Sequence, residues 1–354
     1  MPTRETVSEQ TQLTQIEQLH VFKRILVPLD GSTCAEETLP LAVHIARTCD
    51  ATVVLVRIVP PSYRYEKYPG NLTVLPGEVN LQKRQKADNY LKQVVGNELL
   101  DGIDLHTELL QGNSIDVLVD YAKEQQIDLI VMCSHGHTGI KRWINGSVAQ
   151  QMLRKSPIPL LIVPQGTSSL FQEIEAQHRP FNMLVTLDGS ILADTVLLPA
   201  AWISATLSAP LRGKLHLLRI VQPTYQIDAR AGSMVRCIND EAIYHARMYL
   251  KRMEHLISQS ELKQFHLDIT SAVAFETDVA HTLMRVAEYG ETFNNTEVGN
   301  GYDTIALATH GRQGLPRWIA GSVAEQLLGN TRVPLLVISH PHTSRMQIVA
   351  EHSH

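Results

Sequence analysis

The chain has 354 residues, 44% of them apolar, enough to build two cores of ordinary domain size. A formal net charge of -5 and the lack of a long basic run argue against nucleic-acid binding, which needs a basic face. The apolar runs are strand-sized, short of the ~20 residues of a membrane-spanning helix, so no membrane is expected.

Residues 1–21 read as a polar N-terminal extension without a signal-peptide core, which points to a cytoplasmic protein. The first strand, Arg24-Ile25-Leu26-Val27-Pro28-Leu29, ends in Asp30-Gly31-Ser32 and runs into a helical pattern over 34–48. A second strand, 52–59, leads to a Tyr- and Pro-containing loop over 60–79. A helix (80–100), a strand (103–110), a helix (113–125) and a fourth strand at Leu129-Ile130-Val131-Met132 follow. That strand opens on Ser134-His135-Gly136-His137-Thr138-Gly139, and Gly146-Ser147-Val148 begins the next helix. Ile158-Pro159-Leu160-Leu161-Ile162-Val163 closes the unit, and residues 166–180 read as a linker.

The same order then repeats. Asn182-Met183-Leu184-Val185-Thr186-Leu187-Asp188-Gly189-Ser190 matches the first strand and its turn, with a helix predicted over 192–207. A strand at 214–221, a loop at 222–238, a helix at 239–260, a strand at 265–273 and a helix at 278–289 come next. Thr304-Ile305-Ala306-Leu307 leads to Thr309-His310-Gly311-Arg312-Gln313-Gly314, with Gly321-Ser322-Val323 opening a helix and Val333-Pro334-Leu335-Leu336-Val337-Ile338 closing the half. The offset between halves grows from 158 at Asp30 and Asp188 to 175 at Gly136 and Gly311, mostly through an insertion at 290–301 that reads as a surface loop. Strand–helix alternation with continuous apolar strands predicts an α/β fold of two doubly wound, mostly parallel sheets. The domains are read as 22–165 and 181–339, with a tail at 340–354.

A glycine-rich loop between a strand and a helix is where an α/β sheet binds phosphate, because bare backbone amides and the helix dipole face the anion. Nine residues separate Gly136 from Gly146 and Gly311 from Gly321, with Ser147 and Ser322 directly after. Each serine can donate to a phosphate oxygen or cap its own helix; the two uses compete for one hydroxyl. The four cysteines, Cys34, Cys49, Cys133 and Cys237, show neither metal-ligand spacing nor a disulfide framework, and Cys133 reads as an inert buried thiol.

With the repeat, the Asp-Gly-Ser turn and the loop spacing assembled, the chain resembles the universal stress protein family in tandem form. The resemblance implies a Rossmann-like fold and an adenine nucleotide in each half, ATP first, with ADP or AMP as alternatives and Mg2+ carried with the nucleotide. It implies that Asp30 and Asp188 contact ribose hydroxyls, the other reading being an Asx turn at the corner. It places Pro28, Gly31, Gly189, Gly112 and the backbones of Ile58 and Ile220 around the nucleotide. Cys133, His135, Val148, Ala308 and Val323 belong to the same loops. The family's first loop glycine is replaced by Cys133 and by Ala308, Thr186 stands where the first half has Pro28, and helix register pairs Gly112 with Thr277. Arg142 and Arg317 read as solvated charges, the other reading being contact with a phosphate or a neighbouring acidic group; His135 and His310 read as turn formers, and Trp143 and Trp318 as packing residues. The tyrosines at 63, 65, 68 and 225 either cover the base or belong to ordinary surface loops.

No general base, Walker lysine or positioned water ligand is evident, so a non-catalytic stress sensor is expected, acting through a regulatory protein partner. The alternatives are a scaffold with degenerate sites and a slow ATPase or adenylating enzyme on the same sheet. The resemblance further implies pairing through the last strands, giving an internal pseudo-dimer within the chain and a homodimer between chains.

Overall fold

A computed structural model describes residues 22–61, 63–68, 71–76, 81–112, 114–134, 148–228, 233–237, 240–290, 301–309 and 321–339. The first half contains β1 (Arg24–Pro28), α1 (Thr33–Glu36), α2 (Leu39–Cys49), β2 (Thr52–Val59), β3 (Tyr63–Tyr68), β4 (Asn71–Pro76), α3 (Leu81–Val95), β5 (Leu105–Gln111), α4 (Ser114–Glu124), β6 (Leu129–Cys133), α5 (Val148–Lys155) and β7 (Leu160–Val163). Helix α6 (Ser168–Ala176) lies in the segment read as a linker. The second half contains β8 (Asn182–Thr186), α7 (Ile191–Asp194), α8 (Leu197–Ser208), β9 (Lys214–Val221), β10 (Thr224–Asp228), β11 (Ser233–Cys237), α9 (Asp240–Gln259), β12 (Asp268–Phe275), α10 (Val279–Tyr289), β13 (Thr304–Ala308), α11 (Ser322–Asn330) and β14 (Leu335–Ile338).

The two predicted sheets join edge to edge through their last strands. A ten-stranded sheet runs β12-β9-β8-β13-β14-β7-β6-β1-β2-β5. Every neighbouring pair is parallel except β14 and β7, which pair antiparallel with Leu336 opposite Leu161. The halves therefore meet as the expected internal pseudo-dimer, and the seam covers two strand edges that would otherwise expose unpaired amides. Apolar clusters fill both faces and cross the seam. One gathers α2, α8 and Leu161, Val163, Leu336 and Ile338; the other gathers α4, α5, α10, α11 and Leu160, Ile162, Leu335 and Val337.

Two predicted helices are each broken. Pro40 and Pro199 lack the amide that an unbroken helix would send to the carbonyls of Glu36 and Thr195, so α1 and α7 end and α2 and α8 restart. The predicted loops at 60–79 and 222–238 instead contain antiparallel hairpins, β3–β4 and β10–β11. The segment Ile191–Ser208 is apolar over 18 residues, longer than the runs noted in the sequence, yet 72% of it is buried in the protein. Within it α8 is enclosed, with Trp202 at 0% exposure meeting Phe22 edge to face at 4.7 Å.

Candidate functional site

In each half the chain leaves β1 (or β8) toward one face of the sheet and β6 (or β13) toward the other. Helix α2 packs in one cluster and α5 in the opposite one; α8 and α11 repeat this. Adjacent parallel strands whose crossovers depart on opposite faces leave a crevice at their carboxyl ends. The ladder widens it. Strands β1 and β6 pair only at Ile25–Leu129 and Leu26–Ile130, and β8 and β13 only from Met183–Thr304 to Val185–Ala306.

One wall is the Asp-Gly-Ser corner. The Ser32 amide and hydroxyl donate to Asp30 Oδ1 at 2.9 and 2.5 Å, and Ser32 Oγ accepts from the Ala35 amide at 3.2 Å, capping α1. Ser190 likewise donates its amide to Asp188 Oδ1 at 2.9 Å and caps α7. Both aspartates thus form the Asx turn, with one carboxylate oxygen, and both are exposed. Gly31 and Gly189 take φ +83° and +86°, which a glycine adopts without strain.

The other wall begins at Cys133 and Ala308, the last residues of β6 and β13. His135, Gly136, Gly146, Ser147, Gly311, His310, Arg142, Arg317, Trp143 and Trp318 lie outside the described residues. Val148 is exposed at the start of α5. Gly321 is the N-cap of α11 with no side-chain cap, and Ser322 is the first helical residue, exposed, so its hydroxyl does not cap this helix. Val323 packs on the core below. Ile58 and Ile220, at matched places in β2 and β9, also turn their side chains into that core.

Two sequence expectations are corrected here. Cys133 is not a lone inert thiol: it is joined to Cys34 of α1 in a disulfide, Cα to Cα 5.9 Å, across 99 residues of sequence. The parallel crossover brings the two together, which spacing along the chain cannot reveal. The partner of Gly112 is Glu276, not Thr277. The Gly112 amide donates to Val59 and the Glu276 amide to Val221, equivalent carbonyls in β2 and β9. Helix α10 then starts one residue later, behind its cap Asp278. Gly112 has φ +147° and a Cβ there would run into Val117, so only the first half requires glycine at this corner.

A third group escaped the sequence reading. Arg57 of β2 lies under Gly31, its Nη1 2.8 Å from where a Cβ would stand, and its guanidinium covers the Tyr90 ring. Tyr90 donates to Glu36 Oε1 at 2.8 Å, and burial first, then this bond, push its phenol up. Arg219, Tyr249 and Asp194 repeat the stack beneath Gly189, and burial raises the Asp194 carboxyl. Arg57 Nη1 is buried without a hydrogen-bond acceptor among the described residues. The signal was present: an arginine before Ile-Val at the same place of two mostly apolar strands, and Ala-x-x-Tyr-Leu-Lys in both following helices. Each corner thus rests on a fixed cation.

The universal stress protein family matches residues 22–164 and 181–339. The chain belongs to the universal stress protein family. A universal stress protein of Methanocaldococcus jannaschii is 31% identical over 144 residues, 41% of this chain and 83% of its own length. The YxiE universal stress protein of Bacillus subtilis is 24% identical over 147 residues, 40% of this chain and 99% of its own. A solved universal stress protein from Archaeoglobus fulgidus shares the fold across 90% of this chain and 98% of its own, with TM-score 0.57 and 18% identity.

Proposed function

We propose that this universal stress protein binds adenine nucleotide, ATP with Mg2+ first and ADP or AMP as alternatives, in its two crevices, and acts as a sensor rather than an enzyme. The observation that carries the reading is the coincidence, twice over, of a switch-point crevice with a Gly-x9-Gly-Ser spacing in the loop that follows its inner strand, Gly136 to Ser147 and Gly311 to Ser322. Three features add support: the side-chain-uncapped start of α11, the cation beneath each Asp-Gly-Ser corner, and the exposure of the aspartate at each corner. The differences between halves, at Pro28 and Thr186, Gly112 and Glu276, and Cys133 and Ala308, make the first crevice the stronger site. Binding signals by favouring one conformation or assembly, such as a homodimer or a complex with a regulatory protein.

Titration calorimetry of ATP-Mg into nucleotide-stripped protein tests this, with Gly146→Val plus Gly321→Val as control. Micromolar affinity, about -8 kcal/mol, lost in the double variant supports the sensor. No heat in the wild type favours a scaffold with vestigial sites, and turnover well above one per minute revives the enzyme.

A further inference from the structure

We propose that Cys34 and Cys133 are a reversible dithiol–disulfide couple that tunes the first crevice and leaves the second untouched. The part concerning affinity rests on the nucleotide reading above; the couple itself does not.

The two residues stand on opposite walls. Cys34 is the second residue of α1, directly after the Asp30-Gly31-Ser32 corner, and Cys133 ends β6 just before the glycine-containing loop. Their Cα separation of 5.9 Å lies in the range of protein disulfides. The corner is tied to β2 through the Leu29 amide and Val56 carbonyl, and the end of β6 to β7 through the Ser134 amide and Val163 carbonyl. Between the walls the β1–β6 ladder has stopped at Leu26 and Ile130. The sulfur–sulfur bond spans that gap, so making or breaking it changes how freely the crevice opens. The second half has Leu192 and Ala308 at the matching places and cannot respond. Cys49 is no competitor: it is buried and burial pushes its thiol up to about 12.

With Cys34 5% and Cys133 9% exposed, a hydroperoxide is an oxidant class small enough to reach the pair. One thiolate attacks a peroxide oxygen, the O–O bond breaks, and a sulfenic acid forms with release of water or alcohol. The second sulfur then displaces the sulfenic oxygen as water, so two electrons pass from the sulfurs to the peroxide. A reducing dithiol reverses the change by exchange. The oxidised form holds both walls in place before a ligand arrives, so it binds more tightly.

The full chain is treated with hydrogen peroxide or with dithiothreitol, and thiols are counted after denaturation. Oxidation is expected to remove two of the four thiols, to give a Cys34–Cys133 cross-linked peptide by mass spectrometry, and to raise Tm by several degrees. Calorimetry should then show ATP-Mg binding at one site several-fold weaker after reduction and unchanged at the other. Cys34→Ala, and separately Cys133→Ala, which installs the residue of the second half, should both behave as the reduced form and ignore peroxide. Absence of the linkage, or one affinity in both redox states, overturns the proposal. A linkage with its Tm shift but no ATP binding in any form supports the couple and overturns the nucleotide reading.

Discussion

The guanidinium carbon of Arg57 sits 4.4 Å from the centroid of the Tyr90 ring, and Arg219 repeats this over Tyr249 at 5.0 Å. Each tyrosine ring packs against its cation beneath a glycine whose φ is positive, while its hydroxyl is anchored on an acid of the following helix, Glu36 or Asp194. Arg57 and Arg219 stand at the same place in β2 and β9, each under a crevice wall and followed by two aliphatic residues.

Gly31→Ala should therefore cost more than the usual glycine substitution. The left-handed conformation alone costs about 1–2 kcal/mol, and the new methyl meets Arg57 Nη1 2.8 Å away. In an Arg57→Ala background the contact is gone, so the double variant should recover about 0.5–1 kcal/mol relative to additivity. Urea unfolding of the four proteins measures this; strict additivity would show that Arg57 swings aside freely.

The acid preceding the fourth strand of each half staples the first strand. Asp128 Oδ2 accepts the amides of Lys23 and Arg24 at 2.8 and 3.0 Å. Asp303 accepts the Asn182 amide at 2.8 Å and both Arg179 nitrogens at 2.8 and 2.7 Å, which ties the inter-domain segment to β8 and β13. Asp128→Ala is expected to cost about 1–3 kcal/mol, the range for lost bonds to a charged acceptor. Asp303→Ala should exceed it by at least about 1 kcal/mol, because it also strands a half-buried guanidinium. Equal losses in denaturant unfolding would remove Arg179 from the account.

His216 is 4% exposed in β9, its Nδ1 2.7 Å from Thr270 Oγ1 and its Nε2 buried without a protein partner. Burial pulls its pKa down from 6.5 to about 4, opposed weakly by Glu254. The folded protein thus binds fewer protons than the unfolded chain between those values. Stability is whole above about pH 6.5 and falls as pH drops toward 4, by on the order of 3 kcal/mol. His216→Val, which copies Val54 of the first half, should flatten that fall when unfolding is followed from pH 7 to 4. A variant as acid-sensitive as the wild type would point to other groups.

The seam should depend on backbone pairing rather than on its surface charges. Arg154 and Glu325 meet across it at 2.6 Å but remain partly exposed, so Arg154→Ala should cost under about 1 kcal/mol. Leu161→Pro removes an amide from a strand paired on both sides, to Val131 and Leu336, and should cost roughly 3 kcal/mol or more. Scanning calorimetry should then resolve separate transitions for the two halves, whereas Arg154→Ala keeps the wild-type profile.

The repeat, the order of strands and helices, the Asp-Gly-Ser turns and the loop spacing were all legible from residues alone, since each is a local pattern of periodicity, glycine and proline. The sequence by itself thus determined the fold class and the end of the sheet at which a site can form. The resemblance already implied that the two units join through their last strands, but the register that sets Leu161 opposite Leu336 is fixed only by how those edges meet in space. Nor could the sequence show the hairpins, which short apolar and aromatic runs do not separate from loops, or the Glu276 register, which depends on the β9–β12 ladder. The Cys34–Cys133 bond and the Arg57–Tyr90 stack join residues far apart in the chain. Only the tertiary structure decided those pairings, because parallel crossovers bring distant segments to neighbouring strand ends, where burial and geometry select the contacts.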